Sequence, residues 1–196
     1  FSAGSQSGFT LSWTDNGNPV NTSTYTFQIS TSAGFGSIVN SGSLIALSTA
    51  LSLTPNTTYY ARVRSQNHDG TTNAYVAAAA STATRAADPA SLSFSNGSQN
   101  GFTLSWTDNG NPVNTSTYTF QISTSAGFGS IVNSGSLVGA STALSLTPNT
   151  TYYARVRSQN HDGSVNAYVA AAASTATRAA DPASLAFSNG SQSGFT

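Results

Sequence analysis

The chain has no cysteine, no methionine, no lysine and no glutamate. Without thiols there are neither disulfide staples nor thiolate metal sites, so stability has to come from packing and the redox compartment is left open. Charge is scarce as well. Six arginines balance six aspartates, and charged residues make up 6% of the chain, where an ordinary soluble domain has about 25%. Nucleic acid and anionic membrane surfaces are held by basic stripes, which this balance does not supply, so no nucleic-acid partner is expected. No apolar run approaches the roughly 18 residues of a membrane span; no membrane insertion is expected in this segment, and any signal or anchor should lie outside it. Ser, Thr, Asn, Gln and Gly must therefore furnish the polar surface. Such a surface is rich in hydrogen-bonding groups and poor in repulsion between neighbours.

What is present is repetition. Phe9-Thr10-Leu11-Ser12-Trp13 returns 93 residues later as Phe102-Thr103-Leu104-Ser105-Trp106, and Phe195-Thr196 begins it a third time. The two full copies differ at only eight aligned positions: 3/96, 7/100, 45/138, 46/139, 47/140, 71/164, 72/165 and 93/186. Seven of these fall where loops are expected and the eighth near the first strand. A period of 93 residues is that of a whole domain, not the roughly 20–50 of a solenoid. The expected division is a first repeat at 1–87, a second at 88–180 and the start of a third at 181–196. Phe1 is in phase with Phe94, so the first strand of repeat one is truncated.

Within a repeat the apolar residues alternate. Phe9, Leu11 and Trp13 point one way and Thr10 and Ser12 the other, the pattern of a half-buried strand. Asp15-Asn16-Gly17-Asn18-Pro19 breaks it, and Tyr25, Phe27 and Ile29 supply the next inward face. A short strand is expected at 37–40, a fifth at 50–53 and a sixth at 59–65. Asn67-His68-Asp69-Gly70 then reads as a hairpin turn. Residues 75–84 are expected to form the last strand, although Ala77-Ala78-Ala79-Ala80 has helical propensity, because the segment is short and carries no polar stripe at helical spacing.

The most informative stretch is 53–64, unchanged at 146–157: Leu53-Thr54-Pro55-Asn56 makes a tight turn, after which Tyr59, Ala61 and Val63 alternate with Tyr60, Arg62 and Arg64. Its spacing resembles the tyrosine corner of fibronectin type III domains, where a tyrosine hydroxyl bonds back to the preceding turn. Together with Trp13 in the second strand and Tyr25 and Phe27 in the third, the whole chain is similar to a tandem fibronectin type III array of the bacterial extracellular type. The resemblance implies an all-β fold of tandem seven-stranded, immunoglobulin-like β-sandwiches. The family's Arg-Gly-Asp integrin loop does not carry over, since that loop here reads Asn67-His68-Asp69-Gly70.

Candidate sites are few. His68-Asp69 and His161-Asp162 lack a nucleophile elbow and a third polar partner, so hairpin chemistry accounts for them better than catalysis. Asp15-Asn16-Gly17-Asn18 carries one carboxylate where a calcium loop needs several, and reads as a turn. No catalytic residue, cofactor or metal is expected. Tyr60, Arg62 and Arg64 share a sheet face, as do Tyr153, Arg155 and Arg157, and these are candidate interface residues beside their plainer reading as solvated side chains. Ala77, Ala79, Ala170 and Ala172 join them, because a small-residue edge with no lysine to guard it invites another chain. Asn21, Asn56, Asn96, Asn114, Asn149 and Asn189 match the N-glycosylation pattern, as chance alone would produce in so Asn- and Ser-rich a chain.

The leading expectation is a structural segment of an extracellular or cell-surface filament, stalk or fibre, assembling with other copies of itself by stacking and by lateral sheet-edge packing. Near-identity of adjacent repeats suits a part whose task is length. The alternative is a spacer or adhesion module of a larger secreted adhesin or carbohydrate-active enzyme, with carbohydrate as an unsupported ligand. A variant of the first has residues 187–196 of one subunit adding a strand to the next.

Overall fold

The computed structural model describes residues 4–19 and 22–186. In the first repeat β1 (Gly8–Ser12) pairs antiparallel with β4 (Ser48–Ser52). Facing this pair is a sheet in which β2 (Thr24–Ser30) lies between β3 (Ile38–Leu44) and β5 (Thr58–Gln66). Two short strands, β6 (Val76–Ala77) and β7 (Thr82–Ala83), pair with the far side of β5. The second repeat uses the same order, with β8 (Ala90–Ser95), β9 (Gly101–Thr107) and β12 (Ser141–Ser145) in one sheet. Its other sheet holds β10 (Thr117–Ser123), β11 (Ile131–Val138) and β13 (Thr151–Ser158), with β14 (Val169–Ala170) and β15 (Thr175–Ala176) on β13. The expectation of tandem β-sandwiches is borne out. No helix long and apolar enough to cross a membrane occurs among the described residues.

The alternation seen in sequence explains the core. In the second sandwich Phe102, Leu104 and Trp106 of β9 meet Tyr118, Phe120 and Ile122 of β10 and Tyr152, Ala154 and Val156 of β13, all buried. Each fully buried large apolar side chain stabilises by about 2–3 kcal/mol. Trp106 leans on Tyr118 with ring centres 5.6 Å apart. The tyrosine corner closes as expected: the Tyr59 hydroxyl donates to the Thr54 carbonyl at 3.3 Å, and Tyr152 to Thr147 at 3.2 Å. The turn places Asn56 and Asn149 at φ of 48° and 50°, a left-handed conformation that asparagine tolerates better than most residues.

Two element boundaries differ from expectation. The short fourth strand is seven residues long, because Gly42 lets the ladder continue past Asn40 over the Phe27 ring. The last strand, expected to be continuous over 75–84, is broken. Ala77 pairs with Arg62 and Thr82 with Tyr59, so Ala78, Ala79, Ala80 and Ser81 stand opposite only Tyr60 and Ala61. Two surplus residues bulge out of the ladder, and the same break recurs between β14 and β15. Of the third copy expected at 181–196, residues 187–196, which include the expected donated strand, lie outside the described residues.

Candidate functional site

Catalysis needs converging reactive groups, and among the described residues a dense convergence of polar side chains lies between the two sandwiches. The connecting segment Ala86-Ala87-Asp88 is held there by three asparagines of the second repeat. Asn111 comes from the loop after β9, and Asn160 and Asn166 flank the turn after β13. Asn111 treats Ala87 as a strand would: its Oδ1 accepts from the Ala87 N–H at 2.8 Å and its Nδ2 donates to the Ala87 carbonyl at 2.9 Å. Asn160 Oδ1 accepts from the Ala86 N–H at 2.7 Å, and Asn166 Nδ2 donates to the Ala86 carbonyl at 2.8 Å. The backbone polar groups of both alanines are thereby satisfied, and the alanines can be buried at 0% and 3% exposure. An amide carries a donor and an acceptor in one plane and no charge, so it copies a peptide group without the desolvation cost of a carboxylate.

Asp88 joins the two bodies. Its Oδ2 accepts from Gln6 of the first repeat at 3.0 Å and its Oδ1 from Asn166 of the second at 2.8 Å. Asn109 donates to the Asp88 carbonyl at 3.2 Å, and Asn56 Nδ2 donates across the junction to the Ser116 hydroxyl at 3.1 Å. The floor of the seat is Tyr118, whose hydroxyl accepts from Asn111 at 2.9 Å. Burial pushes that hydroxyl up to about 12; the Asn111 hydrogen bond works against the rise and the Asp108 charge adds to it. At the rim, the Ser164 hydroxyl and N–H hold the Asp162 carboxyl below its ordinary value.

The residues singled out in the sequence fall elsewhere. Arg62 is engaged within its own sandwich: its guanidinium lies 4.3 Å from the centres of both the Phe35 and Tyr75 rings, and its Nε and Nη2 donate to Gln28 Oε1 at 2.8 and 2.6 Å. Arg64 stacks on the other side of that ladder, 4.6 Å from Tyr75. Arg155 and Arg157 repeat the arrangement with Phe128, Tyr168 and Gln121. Tyr60 and Tyr153 are half-buried beside them. Ala77 and Ala170 are exposed in the short strands, while Ala79 and Ala172 sit in the bulges.

Of the glycosylation candidates, Asn96, Asn114 and Asn149 are exposed, and Asn21 and Asn189 lie outside the described residues. Asn56 is 8% exposed, with the nitrogen that would carry a glycan bonded to Ser116. The junction asparagines were legible in sequence only as turn residues; their recurrence in the loops after β9 and β13 was the available signal.

No protein-family model matches this sequence, and no curated protein matches it. Among solved structures, a two-domain fibronectin type III segment of chicken tenascin superposes with a TM-score of 0.60 at 17% identity, over 90% of this chain and 95% of that one. The fold is that of tandem fibronectin type III domains. The FN1-FN3 domains of chicken CNTN1 are also similar, at 18% identity over 90% of this chain and 64% of that one, with a TM-score of 0.37. Identities this low speak for the fibronectin type III fold alone.

Proposed function

We propose that this chain is a structural segment of an extracellular filament, stalk or surface fibre, in which fibronectin type III sandwiches stack end to end at a fixed angle. One observation carries the reading: the connecting alanines are buried between the sandwiches, with their peptide groups bonded by Asn111, Asn160 and Asn166. A clasped linker transmits orientation from one unit to the next, whereas a solvated one does not. The junction residues are the same in both repeats, so successive junctions are alike, and equal steps build a regular rod. The role is mechanical and non-catalytic. Lateral packing, where it occurs, uses the uninterrupted outer edges of β3 and β11 in preference to the bulged alanine segments.

The test is the width of an inter-unit distance. Since the chain has no native cysteine, Ser41→Cys and Ser134→Cys, both exposed, place one spin label on each sandwich. Pulsed electron resonance should give a single narrow distance distribution, and Asn111→Asp with Asn166→Asp should broaden it by removing the donors that face the Ala87 and Ala86 carbonyls. A broad distribution in the otherwise unaltered chain would sink the reading.

A further inference from the structure

Each sandwich has a lateral flank on which both of its sheets stop. β3 is the outer strand of one sheet and β4 the outer strand of the other, joined by a short turn, and β11 and β12 repeat the arrangement. A groove of about 580 Å³ opens there, lined by Val39 of β3 and by Ser52, Leu53 and Tyr59 from the facing side. Its copy, of about 610 Å³, is lined by Val132, Ser145, Leu146 and Tyr152. Among the described residues, six of the ten exposed large apolar side chains lie on these two flanks: Ile38, Val39, Ile45, Ile131, Val132 and Val138.

An outer strand leaves alternate N–H and C=O groups unpaired, and such strands are ordinarily guarded by lysine, proline or charge. Residues 38–52 and 131–145 contain none of these. At the opposite end of the sheet the alanine edge is broken by its bulge, whereas β3 and β11 run for seven and eight residues. Their one irregularity lies near the start: Asn40 pairs with Ile29 and Ile38 with Ser30, so Val39 is a surplus residue and is the one that lines the groove.

The edge is complementary to itself. Ile38-Val39-Asn40-Ser41-Gly42-Ser43-Leu44 has apolar ends and a small, polar middle. Laid antiparallel about Ser41, Ile38 faces Leu44, Val39 faces Ser43, Asn40 faces Gly42 and Ser41 faces its own copy, so bulk meets small side chains in the middle and no charges oppose each other. The same seven residues stand at 131–137, so either edge fits the other. One seven-residue ladder, about 23 Å long, falls short of the roughly 800 Å² per partner of a stable interface. A second copy of this chain answers that shortfall, because it brings an equal groove and a second edge, and copies joined at one edge hold their others close together.

We propose that β3 and β11 pair antiparallel with the same edges of a second copy, centred on Ser41 and Ser134. The contact is isologous. The two-fold axis of an antiparallel pair stands perpendicular to the sheet, so β4 stays on the same side in both copies and groove closes against groove. The proposal gives the filament reading its lateral contact and rests on that reading.

Sedimentation equilibrium of the full chain tests it by exchanging charge at two exposed serines. The parent should associate reversibly below about 1 mM. Ser41→Lys with Ser134→Lys sets like charges opposite each other in every pairing and should leave monomers, as should Ser41→Asp with Ser134→Asp. An equimolar mixture of the two double variants should associate again, since each introduced ammonium then meets a carboxylate. Melting curves of both should match the parent's. A parent that stays monomeric to about 1 mM overturns the proposal. So does a lysine variant that associates as far as the parent, which would assign the contact to another surface, and so does a mixture that stays monomeric, which removes the register about Ser41. The spin labels of the junction experiment stand on these same edges and report the junction within one chain. A narrow distance with no association of the parent refutes only this proposal, and a broad distance refutes the structural reading beneath it.

Discussion

At the scale of single residues, the amide and the glycine carry the argument. Asn111 forms a two-point hydrogen bond with a peptide group, which neither aspartate nor alanine can copy. Gly101 sits at φ 151°, and a Cβ there would stand 1.7 Å from the Leu144 carbonyl oxygen. Gly101→Ala should therefore cost about 3 kcal/mol, read as a lower urea midpoint, whereas Gly97→Ala, with nothing within 4 Å, should stay within about 0.5 kcal/mol; equal midpoints would contradict this account. Tyr118 gives a pH dependence. Its folded-state value of about 12 lies above the ordinary 10.0, so in that interval the native state keeps a proton the unfolded chain has lost. Its contribution is complete below pH 10 and is lost as pH rises toward 12. Tyr118→Phe should lose less stability than the parent between about pH 9 and pH 11; parallel losses would show that this hydroxyl is not the cause. Phe35 shows a limit of reading residues alone. Flanked by glycines it signals only a turn, yet it holds φ 56° and stacks on Arg62, a contact worth about 1 kcal/mol.

At the scale of elements, periodicity identified the strands and context set their limits. Tyr25, Phe27 and Ile29 are buried in β2 as their alternation demands. Alternation has nothing to grip in Ala77-Ala78-Ala79-Ala80, where every side chain is the same, so register there is chosen by the flanking Tyr75 and Thr82. Tyr75 is drawn to the arginine ladder and Thr82 to Tyr59, and the four residues between Ala77 and Thr82 exceed what the facing strand accommodates. The resulting bulge blunts an edge that carries no lysine. Deleting Ala79 and Ala80 should restore a continuous strand and raise lateral aggregation several-fold, measured by light scattering; an unchanged signal would mean that the bulge does not guard this edge.

At the scale of the whole molecule, the same residue types occupy opposite environments in two nearly identical repeats. Asn56 is buried and Asn149 exposed; Ala86 is buried and Ala179 exposed. The difference comes from the second sandwich, which covers Asn56 and Ala86, so stability in a tandem array is a sum of units and junctions. A six-arginine, six-aspartate composition suits this junction, since the two sandwiches meet through amides, hydroxyls, small apolar side chains and the Asp88 carboxylate, with little charge to desolvate.

The sequence by itself determined the repeat length, the all-β class, the tyrosine corner and most of the core, because period-two alternation and turn chemistry are local properties that each repeat states in full. Only the tertiary structure decided which asparagines are turn residues and which are clasps, that Arg62 is spent within its own sheet, and that the alanine strand is broken. Those outcomes depend on distant partners brought within about 3 Å. A side chain's local sequence does not say which backbone will be waiting for it.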